Sequence, residues 1–135
     1  MKISILLPYK ENFSPVYPGA VSLFVKDTAN LSKYKKNIIV YGNTNYKRLF
    51  NIKYYNIALS SFKLTSKSKQ YVNKFIKLEE QTPSDLIEIH NRPNYLSDIV
   101  NTLGKKNLVL YFHNDPLTMT GSKSINERKF LLKNC

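Results

Sequence analysis

The sequence is poor in cysteine: Cys135 is the only one among 135 residues. A lone thiol forms no intramolecular disulfide, so nothing points to an oxidising compartment, and Cys–His nucleophilic catalysis is not expected with the thiol at that position. Tryptophan is absent and glycine occurs only four times. There is no GxGxxG and no GxxxxGK[ST], which removes a dinucleotide fingerprint and a P-loop. No stretch approaches the roughly 20 consecutive apolar residues that span a bilayer. The apolar run near the start, Ile3 to Leu7, is too short for a signal peptide, stops at Pro8 and reads as a first strand, consistent with a cytoplasmic protein. Arginine is scarce as well, at three of the 21 basic residues.

What is present is an ordinary globular composition, 42% hydrophobic, in a length that fits one domain, residues 1–135. The net charge of +12 admits nucleic acid, an anionic membrane surface or an anionic substrate as partner. Scattered lysines supply most of it, whereas bidentate recognition of phosphate or bases favours arginine. The same chain is rich in Asn, Ile and Tyr, as an AT-rich coding sequence would make it, and that accounts for much of the lysine excess.

Apolar runs alternate with helical periodicity. Lys2 to Leu7 reads as a buried strand, Pro18-Gly19 opens a helix to about Lys33, and Ile38 to Tyr41 is a second strand ended by Gly42. Strand, helix and strand over some 40 residues make a βαβ unit with a parallel crossover. Thr44 to Thr65 carries the weakest signal, with a helical turn at Arg48 to Phe50 and a strand at Tyr54 to Ala58. Ser66 to Glu80 has helical spacing and a lysine-rich outer face, which reads as a solvated face and secondarily as a membrane-surface helix. Leu86 to Ile89 is a further strand. Asn91 is a candidate cap for a helix striped by Leu96, Ile99, Val100 and Leu103 and ended by Gly104. Lys105-Lys106 leads into a last strand, Leu108 to Phe112, and Ser124 to Glu127 is a capping box that starts a final helix. The pattern predicts a three-layer α/β sandwich on a mostly parallel, Rossmann-like sheet.

In such sheets ligands sit at the carboxyl ends of the strands. Three strand ends carry polar residues suited to chemistry: Pro18-Gly19 after the first, His90-Asn91-Arg92 after the fourth, and His113-Asn114-Asp115 after the fifth. Both histidines of the chain lie there. A metal held by the histidines and Asp115 is not expected, because ligands on separate strands have no diagnostic spacing. Tyrosines interleaved with basic residues from Asn45 to Tyr55 suit stacking on single-stranded nucleic acid, but no recognisable nucleic-acid module surrounds them. A non-catalytic α/β module binding an anionic partner such as nucleic acid is the alternative reading.

With the first strand and its glycine-opened helix, the segments DLIEIHNRP from Asp85 and LVLYFHNDPLTMTGSKSINERKFLL from Leu108 resemble the amino-terminal domain of family-4 glycosyltransferases of the GT-B fold. The resemblance implies transfer of a sugar from a nucleotide-sugar donor to a glycan or lipid-linked acceptor with retention, as in cell-envelope polysaccharide synthesis. It implies that Gly19 approaches the donor diphosphate and that His113 contacts the donor sugar near the reacting carbon. By the same likeness Asn114 and Asp115 lie on the donor side, and His90, Asn91 and Arg92 face the acceptor side of the cleft. No metal or other cofactor is implied. The family usually has two glycines where this chain has Pro18-Gly19. Its members continue into a second Rossmann-like domain that holds most of the nucleotide, so the sequence reads as an incomplete amino-terminal half, inactive alone and completed by a second domain or subunit. Lipid-linked acceptors also imply a peripheral contact with the inner face of the membrane.

Overall fold

The computed structural model describes residues 1–61, 64–104 and 106–135. Five strands form one parallel sheet in the order β3-β2-β1-β4-β5, with β1 Ile3–Leu6, β2 Ile38–Gly42, β3 Tyr54–Asn56, β4 Leu86–His90 and β5 Leu108–Tyr111. The helices are α1 Ala20–Leu31, α2 Lys67–Gln81, α3 Tyr95–Leu103 and α4 Ile125–Asn134. The three-layer Rossmann-like architecture predicted from the alternation is the architecture observed.

Strand alternation divides the core. Ile3, Ile5 and Leu7 of the β1 segment join Ile38 and Val40 of β2 beneath Val21, Val25 and Ala29 of α1. Leu6, Tyr41, Ile87 and Ile89 point the other way, into a larger cluster with Val72, Phe75 and Ile76 of α2, Leu96 and Ile99 of α3, and Leu131 of α4. Because β4 sends Ile87 and Ile89 to that side, Glu88 and His90 are left on the side of α1.

Two readings of local structure are corrected. Arg48 to Phe50 forms no helical turn, and Phe50 instead packs edge-on against Phe13 at 5.1 Å. Asn91 does not cap α3: that helix begins after Asn94, and Asn91 lies in the left-handed region with φ of 54°. The capping box holds, with Ser124 and Glu127 bonded reciprocally, and Gly104 ends α3 at φ of 69°. Lys105, read as part of the lead into β5, lies outside the described residues.

A buried carboxylate locks α2 to the sheet. Glu79 Oε1 accepts from the Ser4 hydroxyl of β1, while Oε2 accepts from the Ser84 backbone N–H at 3.0 Å and the Ser84 hydroxyl at 2.7 Å. Removing the acceptor strands three donors in the interior. Glu79→Ala is expected to lower unfolding free energy by about 1.5–3 kcal/mol in urea denaturation, and a change within about 0.5 kcal/mol would show that these bonds do not hold the layer.

Candidate functional site

The strand order reverses between β1 and β4, whose following loops pass to opposite faces of the sheet, and in open parallel sheets a ligand crevice lies at such a switch point, at the carboxyl edge. One wall is built by Asn91. Its backbone N–H donates to the Tyr111 carbonyl at 2.7 Å, extending the β4–β5 ladder by one bond. Its left-handed backbone, which asparagine tolerates better than most residues, then turns the chain, and its side-chain Oδ1 accepts the His113 backbone N–H at 3.2 Å. One residue thus ties the exits of two strands together.

That tie brings the imidazoles into contact. His90 Nδ1 lies 3.0 Å from His113 Nε2. The His90 ring, 1% exposed, stacks on Tyr111 at 4.8 Å and 9°, and Phe24 of α1 meets His113 edge-on at 5.1 Å. Phe24 and the His90 ring cover part of His113, which stays half-exposed. Burial, followed by the neighbouring His90, lowers the His113 pKa below its ordinary 6.5, while the Glu11 carboxylate pulls the other way.

The opposite wall is the loop from β1 to α1. Glu11 Oε1 accepts the Ser22 backbone N–H at 2.9 Å, satisfying a donor in the first turn of α1. Gly19, the residue before the helix, has an extended backbone with φ of −75°, which any residue adopts, and its missing side chain leaves room for the movable Glu11 carboxylate. A Cβ there would lie 1.9 Å from Glu11 Oε1. The anion at this helix start is the chain's own carboxylate.

The structure therefore gathers His90, Asn91 and His113, and links Gly19 to them through Glu11. The remaining residues singled out from the sequence serve their own turns. Arg92 Nη1 donates to the Asn91 carbonyl at 2.8 Å, Asp115 Oδ1 accepts the Leu117 backbone N–H at 2.9 Å, and Asn114 is exposed. Sequence reasoning missed Glu11, Glu88, Phe24 and Tyr111. Only Glu88 left a trace, as an acidic residue two positions before His90 in an apolar strand. Among the described residues no three His, Cys, Asp or Glu side chains are grouped to hold a metal ion.

No family model, curated protein or solved structure matches the chain. The chemistry open to the site follows from its geometry: a weakly basic imidazole packed against Phe24 and His90, beside a helix start already carrying an anion.

The neutral imidazole is favoured by the fold, so the unfolded chain takes up the His113 proton first as pH falls. This contribution to stability is whole above about pH 6.5 and is lost progressively as pH falls toward the lower folded pKa. A histidine NMR titration is expected to give a His113 midpoint below 6.5. A midpoint at or above that value would contradict the burial argument.

Proposed function

We propose that the chain is the acceptor-side, amino-terminal half of a retaining GT-B glycosyltransferase acting with a nucleotide-sugar donor and a glycan or lipid-linked acceptor. The observation that carries the reading is the His90–His113 contact beside the crevice between β1 and β4. The resemblance at both histidine-bearing strand ends supports it. In this reading His113 touches the donor sugar near the reacting carbon, and Asn91 holds His113 in place. Phe24 packs edge-on against His113, and Tyr111 stacks on His90 behind it. A second Rossmann-like domain, in the same chain or a separate subunit, supplies most contacts to the nucleotide. The reaction needs no metal in this scheme, because backbone N–H groups and basic side chains neutralise the diphosphate. No helix among the described residues is long and apolar enough to cross a membrane. We place the protein in the cytoplasm, with lipid-linked acceptors reached from the membrane's inner face.

Glu11 makes the reading specific. Its carboxylate competes with a donor diphosphate for the N-terminus of α1, so it must leave when the diphosphate enters. With UDP-glucose and GDP-mannose as probes, NMR titration is expected to show Glu11→Gln binding about 2- to 5-fold tighter than wild type, the value of one charge at a helix terminus. His113→Ala is expected to weaken binding of the same probes. If neither substitution changes binding, the donor does not use the crevice. Tighter binding of a single-stranded oligonucleotide than of either probe, falling steeply with salt, would favour the nucleic-acid module instead.

A further inference from the structure

The two nitrogens of His90 face different partners. Nε2 is buried and has no hydrogen-bond partner among the described residues, and Glu88 Oε2 lies 3.6 Å from it, too far for a hydrogen bond but within ion-contact range. Nδ1 faces His113 Nε2 at 3.0 Å. A neutral imidazole carries one N–H and one lone pair, and its neighbours decide which nitrogen carries which. A carboxylate only accepts, so a lone pair on Nε2 would face negative charge across a buried gap, whereas an N–H there is attracted. The proton of His90 therefore belongs on Nε2 and the lone pair on Nδ1. His113 must then donate from its own Nε2–H, which leaves its lone pair on Nδ1. Among the described residues that atom has no hydrogen-bond partner, it is not among the buried unpartnered atoms, and His113 itself is half-exposed.

We propose that Glu88 sets the tautomer of His113 through His90, so that His113 meets its ligand as a hydrogen-bond acceptor through Nδ1. The group it takes is a donor, the hydroxyl of a neutral polyol, and not an unprotonated phosphate oxygen. Glu88 is a positioning residue in this arrangement. The tautomer relay stands on geometry alone, whereas a sugar as the source of the hydroxyl rests on the glycosyltransferase reading. The groups around the pair are Glu88 on β4, Tyr111 on β5, Phe24 on α1 and Glu11 in the loop after β1. Of these, Tyr111 is neutral at pH 8, its pKa lying above the ordinary 10 through burial and the nearby Glu88. Glu11 favours the imidazolium, so the acceptor character of His113 belongs to the pH range above its titration.

Long-range nitrogen–proton NMR on the chain labelled in its imidazole nitrogens tests this at pH 8. Wild type is expected to show His90 and His113 both as Nε2–H tautomers. In Glu88→Leu, which removes the acceptor, and Glu88→Gln, which offers a donor as well, the Nε2–H preference of His113 is expected to fall about tenfold. Glu88→Asp, which keeps the carboxylate, is expected to retain more of the preference than either. A His113 Nδ1–H tautomer in wild type overturns the relay. So does an unchanged tautomer in both neutral variants whose amide spectra remain folded. The ligand class is read separately, by adding methyl glucoside or inorganic phosphate to wild type. A His113 shift with the glycoside and not with phosphate is expected. A shift with phosphate alone, or with neither, overturns the hydroxyl assignment and counts against the glycosyltransferase reading, while leaving the relay to its own result.

Discussion

The structure depends on the pairing of β1 with both of its neighbours. Ile3 to Leu6 are in parallel register with Ile38 to Tyr41 on one side and Leu86 to Ile89 on the other. A central strand buried on both faces must be short, apolar and free of charge, and Ile3-Ser4-Ile5-Leu6 meets that demand, its one polar residue being bonded to Glu79. With β1 in the middle, α1 covers one face and α2 and α3 the other. The chain then leaves β1 and β4 in opposite directions, and the switch point between those strands is a consequence of topology.

Side-chain alternation then selects what faces that crevice. The requirement that Ile87 and Ile89 enter the larger core turns Glu88 and His90 toward α1. Asn91 and the β4–β5 pairing set the height of His113, so that two rings 23 positions apart come within hydrogen-bond distance. Packing thus fixes the chemistry: the residues that bury the core also orient the imidazoles, and partial burial beside His90 weakens the basicity of His113.

The layers, the five strands and the two histidine-bearing edges were legible from sequence, because apolar periodicity and strand-end polarity are local signals. Asn91 was singled out, but its work as a left-handed tie between two strand exits depends on where β5 lies, and a capping role was the nearest local explanation. Glu11 was illegible for a similar reason. Its partner is the Ser22 N–H beyond a twisting loop, and Gly19 reports it only by the absence of a Cβ. Glu79 falls inside the helical spacing read over Ser66 to Glu80 and gives no local sign of burial, which depends on the sheet placing Ser4 beneath it. The segment from Thr44 to Thr65 gave little, and the order of its described part from Thr44 to Tyr54 comes from tertiary bonds: the Thr44 hydroxyl accepts the Phe13 backbone N–H at 3.0 Å and the Tyr54 hydroxyl at 2.8 Å.

The central claim is that the crevice between β1 and β4 is where a nucleotide sugar is held. A crystal structure of the chain grown with an intact nucleotide sugar tests it most directly. The account predicts the sugar ring within hydrogen-bond distance of His113 and the Glu11 carboxylate displaced from the Ser22 N–H by the diphosphate. A nucleotide sugar seated elsewhere, for instance against Lys74 and Lys77 of α2, with Glu11 still bonded to Ser22, would contradict it.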